Sequence, residues 1–169
     1  MDIKNRVAIV TGGASGMGAE TVRPLAAKGA KVAVLDICQD KAEQVANEIG
    51  GLAIACDVTD ASAAAAAVDT VQTALGPIRL CINCAGVGTV MPVITPAGPM
   101  PLDDFRQVVE VNLIGTFNLL RLAAMQMSQQ DAVNEDGERG VIINVASVAA
   151  FEGQIGQAAY SASKNAVIG

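Results

Sequence analysis

Five short runs of β-branched and aliphatic residues recur along the chain, at 7–10, 31–35, 52–55, 78–82 and 140–145. Each stands before a longer stretch with helical spacing or a ligand-type loop, and this alternation leaves few folds open. The runs are almost continuously apolar, as a parallel strand covered on both faces must be. The helical stretches fall at about 17–28, 39–49, 60–75 and 102–127. Strand–helix alternation of this kind requires right-handed crossovers, so the expected architecture is an α/β fold, a doubly wound parallel sheet with helices on both faces. With 169 residues, 51% apolar and 17% charged, one domain spanning 1–169 is expected, with no internal repeat or linker.

Local signals agree with this frame. The third helical stretch holds an alanine run from Ala63 to Ala67, which favours helix and permits close packing on a sheet. The fourth opens near Pro101, followed by Asp103 and Asp104, whose charges suit a helix N-terminus. The polar segment 128–139 reads as an exposed loop. The stretch 86–100, with Pro92, Pro96 and Pro99, reads as irregular and follows a strand end, where ligand-contacting loops lie in this architecture.

Composition narrows the chemistry. The formal charge is −6 and the isoelectric point near 4.5, which disfavours nucleic acid or an anionic membrane as partner. There is no histidine, which removes Ser-His-Asp, Cys-His and HExxH sites. Proton transfer near neutral pH then falls to a carboxylate, a lysine, a cysteine or the lone tyrosine, Tyr160. The N-terminus runs directly into an apolar strand pattern with no room for a signal peptide, and no apolar run reaches the roughly 18 residues of a bilayer span, so a cytoplasmic protein without a membrane partner is expected. Cys38, Cys56, Cys81 and Cys84 are expected to be free thiols. Cys81-Ile82-Asn83-Cys84 has the CxxC form, yet residues three apart on a strand face opposite sides, and a second ligand pair for zinc is lacking.

The turn after the first strand, Thr11-Gly12-Gly13-Ala14-Ser15-Gly16-Met17-Gly18, has the makings of a phosphate cradle. Glycines let the backbone approach a pyrophosphate, and the N–H groups of the following helix point at the anion. Asp36 ends the second strand, where an acidic residue hydrogen-bonds an adenosine ribose. Its charge would repel a 2′-phosphate, and neither Ser15 nor Ile37 supplies a cation. NAD over NADP is therefore the expected cofactor, the bland alternative being that Asp36 only caps a strand end.

Tyr160 and Lys164 stand at i and i+4, on one face of a helix. A free phenol has a pKa near 10, and a neighbouring ammonium favours the phenolate, which makes reversible proton transfer possible at neutral pH.

These residues, with Asp57-Val58 after the third strand, Asn83-Cys84-Ala85-Gly86 after the fourth, Asn112 and Ser147, make the chain resemble the short-chain dehydrogenase/reductase family over essentially its whole length. The resemblance implies a Rossmann-type fold. It also implies that Tyr160 is the general acid/base, that Lys164 binds the nicotinamide ribose, that Ser147 binds the substrate oxygen and that Asn112 holds a water in a proton relay. By the same resemblance Gly12, Ser15, Gly16, Met17 and Gly18 would line the cofactor, Asp57 and Val58 would meet the adenine, and the chain at Cys84, the variable place of its motif, would pass along the adenosine ribose. Singly, each has a plainer reading: Ser147 a turn serine, Asn112 a polar helix-face residue, Asp57 the cap of the alanine-rich helix.

A finer resemblance lies in 140–164, with Thr116-Phe117-Asn118, to the branch of the family that oxidises 3-hydroxyacyl-CoA thioesters, and sometimes steroid alcohols, with NAD. It implies a small-molecule acyl-CoA or related alcohol or ketone as substrate, Gln157 near that substrate, and a homotetramer. Segment 91–101 matches this branch less well. A 3-oxoacyl reductase and a module that holds NAD without turnover are the alternatives. Family members continue past the position of Gly169 with further strands and helices that close the substrate pocket. The resemblance therefore implies a C-terminally truncated domain of little activity by itself, its fifth strand an exposed edge.

Overall fold

The computed structural model describes residues 1–169. Its main sheet has five strands, β1 (Val7–Thr11), β2 (Lys31–Asp36), β3 (Leu52–Ala55), β4 (Ile78–Asn83) and β7 (Val141–Asn144), in the order β3-β2-β1-β4-β7. Every pairing is parallel, with Ile9 opposite Ala33 on one side and Cys81 on the other. The chain winds outward from β1 to β3, then crosses back to place β4 on the other flank of β1. The expected Rossmann-type, doubly wound sheet is what forms, and its winding reverses between β1 and β4.

Alternation along the strands sends successive side chains to two cores. Ile9, Leu35 and Cys81 face α3 (Ala61–Leu75) and α5 (Thr116–Ser128), meeting Ala64, Ala67, Val68, Val71, Leu119 and Ala123. Val10, Val34 and Ile82 face the other way, toward α1 (Gly16–Ala27) and α2 (Gln39–Ile49), meeting Ala19, Val22, Ala42 and Val45. Cys84 packs against this second core, so the two cysteines of the CxxC stand on opposite faces of the sheet. The alanines of α3 that turn inward, Ala64 and Ala67, are almost wholly buried, which brings that helix close to the strands.

The fourth helical stretch differs in its middle. It runs as α4 (Leu102–Val109), a π-helical segment Glu110–Gly115, and α5 without a break. The wide π turn carries two buried residues, Asn112 and Gly115. Gly115 has to be glycine, because a Cβ there would come within 2.5 Å of Val58 Cγ2. Taken together this 27-residue helix, Leu102–Ser128, is by length and composition apolar enough to cross a bilayer, although Glu110, Asn112, Asn118 and Arg121 leave no continuous apolar run of that length in it. Its stripe Val108, Asn112, Gly115, Leu119, Ala123 and Met127 is buried instead in the fold.

Segment 86–100 is also more ordered than expected. It contains a minimal antiparallel hairpin, β5 (Ile94–Thr95) with β6 (Gly98–Pro99), and the Met91 N–H donates to the Gly156 carbonyl at 2.8 Å. A short 3-10 turn, Val148–Ala150, follows β7, and α6 (Ala158–Ile168) packs on α4 and the π turn.

Candidate active site

At the reversal of winding, the turns after β1 and β4 touch. Gly12 has φ +61°, and a Cβ on it would lie 2.8 Å from Ala85 Cα, so the two turns meet backbone to backbone. Gly18, in the first turn of α1, lies against the Gly12 carbonyl with no room for a side chain. Gly16, at φ +49°, faces open space instead. The turn is thus tight on its protein side and vacant on its outer side, as an anion cradle at a helix N-terminus requires.

Two cavities open along this sheet edge and share Met17, Cys84, Gly86 and Val87 in their walls. The first, of about 610 Å³, runs from the glycine turn past Asp36 to Asp57, Val58 and the helix residues Gln107 and Glu110. Three carboxylates line it and no lysine or arginine does. The second, of about 450 Å³, is bounded by Ser147, Gln157, Tyr160 and Lys164. Among the residues singled out in the sequence, Gly12, Ser15, Gly16, Met17, Gly18, Asp36, Asp57, Val58 and Cys84 border the first cavity.

The local reasons for these positions differ. Asp36 is held at the end of β2 by two backbone donors, the N–H groups of Ala14 (3.1 Å) and Cys38 (3.0 Å). Asp57 accepts from the N–H and hydroxyl of Thr59 at 2.9 and 2.8 Å. It is not the cap of α3. That role belongs to Asp60, whose Oδ1 accepts from the N–H groups of Ser62 (2.8 Å) and Ala63 (3.0 Å), and these bonds, led by the Ser62 hydroxyl, hold its carboxyl below the usual range.

Tyr160 and Lys164 are brought together by successive turns of α6, with the ammonium 5.8 Å from the ring centroid. Lys164 is 5% exposed and has no carboxylate partner; its Nζ donates to the Val145 carbonyl at 2.8 Å. Burial holds its ammonium below the ordinary lysine range, opposed in part by the Cys84 thiol. Ser147 accepts from the Ala149 N–H at 3.2 Å, capping the 3-10 turn, and its own proton is left to donate into the cavity. Gln157 lines the same cavity with its Oε1 buried and unpartnered.

Asn112 borders neither cavity. It is wholly buried behind the wall, where its Oδ1 accepts from the Val87 N–H (2.8 Å) and its Nδ2 donates to the Val87 carbonyl (2.9 Å) and Ser163 Oγ (3.0 Å). Both amide hydrogens are committed, so a water held by this residue can only donate to it. The sequence reading assigned nothing to Ser163, Gln154, Gln107 or Glu110. For Ser163 the signal was available, since it lies one turn past Tyr160 on the same helix; the others carry no motif.

A profile of the short chain dehydrogenase family matches residues 6–169. The chain belongs to that family. It is 46% identical over 171 aligned residues to 3-hydroxyacyl-CoA dehydrogenase type-2 of Drosophila melanogaster, covering 99% of this chain and 67% of that protein. The crystal structure of 3-hydroxyacyl-CoA dehydrogenase type-2 from Mycobacterium avium superposes with a TM-score of 0.91 at 34% identity, covering 99% of this chain and 67% of that one. A 7 alpha-hydroxysteroid dehydrogenase complexed with NADH and 7-oxo glycochenodeoxycholic acid gives 0.87, at 34% identity, over 98% of this chain and 62% of that one. The chain therefore spans about two thirds of the length of these members of its family.

Proposed function

We propose that this family member is an NAD-dependent oxidoreductase that interconverts a secondary alcohol and a ketone, with a 3-hydroxyacyl-CoA and its 3-oxo product as the substrate pair. One observation carries the reading. Ser147, Tyr160 and Lys164 border a single cavity that shares Met17, Cys84, Gly86 and Val87 as wall residues with a second one bordered by the glycine turn and Asp36. A dinucleotide fits that path: the vacant side of Gly16 suits its pyrophosphate, and the Asp36 carboxylate suits a ribose diol. The substrate class rests on the 46% identity to the Drosophila protein.

Bound NAD would supply the acceptor for the hydride that leaves the carbinol carbon. The residues of this chain do the rest. The Ser147 hydroxyl donates to the substrate oxygen and fixes it beside the Tyr160 phenol oxygen. Tyr160 takes the hydroxyl proton at its phenol oxygen as the carbonyl forms, and in the reverse direction returns it. The Lys164 ammonium stands one turn along the helix, 5.8 Å from the centre of the tyrosine ring, and its tether to Val145 keeps it in place. With three carboxylates and no cation along its wall, the Asp36 cavity disfavours a 2′-phosphate. The outward face of the long helix exposes Ile114, Phe117 and Met125, a surface suited to association of copies of the chain, and we include a homo-oligomer in the proposal.

Tyr160 is the only tyrosine and there is no tryptophan, so quenching of its emission reports cofactor binding directly. NADH should quench it at concentrations at least about tenfold lower than NADPH does. Tyr160→Phe should lower turnover of 3-hydroxyacyl-CoA by a factor of roughly 100 or more. Substantial turnover by that variant would refute the proton-transfer assignment, and faster oxidation of a steroid alcohol than of any 3-hydroxyacyl-CoA would refute the substrate class.

A further inference from the structure

We infer that Ser163 is a positioning residue for the reaction, setting the distance between the Tyr160–Lys164 pair and the cavity loop 86–88. The inference rests on the proton-transfer reading of Tyr160 given above. Ser163 is 1% exposed and borders neither cavity, so it touches no reacting atom. A buried helix position of this kind is best filled by alanine, and a hydroxyl is tolerated only where it is bonded.

Here both of its functions are used, and in a fixed direction. The Val87 N–H donates to Asn112 Oδ1, which turns the Asn112 amide hydrogens toward the Val87 carbonyl and Ser163 Oγ (3.0 Å). Ser163 accepts from that amide and donates its own proton to the carbonyl of Tyr160 at 2.8 Å. The chain of bonds thus runs from the cavity loop, through the π turn, to the backbone of the tyrosine itself.

The same loop runs close to the side chains of Asn112, Lys164 and Tyr160. A Cβ on Gly86 would lie 3.1 Å from Asn112 Oδ1 and 3.5 Å from Lys164 Nζ, and one on Gly88 would lie 3.6 Å from Tyr160 Cδ2. Loop 86–88 is therefore bonded to Asn112 through Val87 and lies beside the tyrosine ring and the lysine head, with Ser163 joining Asn112 to the helix that carries those two. The π turn has a role in this, since it is the segment that sets Asn112 between Val87 and Ser163.

The test uses Ser163→Ala, Asn112→Ala and the double variant. Near-ultraviolet circular dichroism reads the immobilisation of Tyr160, because the chain has no other tyrosine and no tryptophan. Ser163→Ala should weaken that band with the far-ultraviolet spectrum unchanged. It should also lower kcat roughly tenfold or more, a larger change than in KM for NAD, since the reacting tyrosine is displaced directly and the cofactor cavity only at its Gly86–Val87 wall. In the Asn112→Ala background the same change should add little, as expected for two residues acting through one bond. An unchanged Tyr160 band and kcat in Ser163→Ala, or fully additive losses in the cycle, would overturn the inference. Should Ser163→Ala fail to fold, Ser163→Thr, which keeps the hydroxyl, has to retain the band and kcat; if it does not, the inference fails. A Tyr160→Phe enzyme that kept its turnover would sink the proton-transfer reading by itself and leave the dichroism result standing, so the two failures are distinguishable.

Discussion

The Asp36 carboxylate accepts a hydrogen bond from the Ala14 N–H at 3.1 Å, which ties the end of β2 to the glycine turn after β1. Its other oxygen takes the Cys38 N–H at 3.0 Å, at the start of α2. One side chain therefore shapes the turn and also charges the cavity, and substitutions can separate the two. Asp36→Asn keeps a carbonyl acceptor for one of these donors and removes the charge. It should narrow the preference for NADH over NADPH by about tenfold or more, measured as the ratio of dissociation constants, with a smaller loss of stability than in Asp36→Ala, because one of the two N–H groups loses its acceptor. Asp36→Ala leaves both N–H groups without their partner and should in addition cost about 1–3 kcal/mol of stability by denaturant unfolding.

Two glycines of the same turn should respond in opposite ways. A Cβ on Gly18 would press on the Gly12 carbonyl, so Gly18→Ala should destabilise the fold by about 3 kcal/mol or more. A Cβ on Gly16 meets no protein atom within 4 Å, and the substitution costs only the strain of φ +49°, about 1 kcal/mol. Its methyl would point into the space proposed for the pyrophosphate. Gly16→Ala should thus weaken NADH binding at least about tenfold in a protein that still unfolds cooperatively.

The four thiols should separate by alkylation rate. Burial pushes Cys81 up to about 12 and Cys56 up to about 11, the latter helped by Asp57 and Asp60, so both should be inert to iodoacetamide at neutral pH. Cys38 and Cys84 are half-buried and should react first. Of these two, Cys84 alone lines the cavities, so saturating NADH should protect Cys84 and leave Cys38 as reactive as before, read by peptide mass mapping. Equal protection of both, or of neither, would contradict the placement of the cofactor.

The same groups give stability a defined pH dependence. Cys56 and Cys81 have folded values above the ordinary 9.0 of a thiol. Their contribution is full below pH 9 and is lost as pH rises through about 11 and 12, because the unfolded chain releases those protons first. Asp60 behaves in the opposite sense. Its folded value lies below the ordinary 3.8, so the stability it gives is present above that pH and lost as pH falls through the folded value. In Asp60→Ala the cap of α3 is gone at every pH. The melting temperature should drop by about 2–4 °C at neutral pH, and the difference from the parent protein should shrink in acid.

Much of the site could be read along the chain because its signals are local. The glycine spacing 12–16–18, Asp36 at a strand end and the Tyr160–Lys164 spacing each need only their own segment to be recognised. The bounds of α2 and β3 were legible for the same reason: Gly50, at φ +63°, ends α2 where the apolar period changes. The cap of α3 was a nearer miss. Asp57 and Asp60 both precede the alanine run, and only the bonds to Ser62 and Ala63 decide between them.

By itself the sequence determined the order of strands and helices and the doubly wound sheet, and it narrowed the candidates for proton transfer to a carboxylate, a lysine, a cysteine or the lone tyrosine. Those follow from apolar periodicity, glycine placement and the absence of histidine, which are properties of neighbouring residues and of composition. Only the tertiary structure decided that Asn112 faces away from the cavities, that a π turn carries it, and that Ser163 joins it to Tyr160. The physical reason is distance along the chain. Val87, Asn112 and Ser163 are far apart in sequence, and the hydrogen bonds among them exist only once the sheet has brought the β4 loop, the long helix and α6 to one edge.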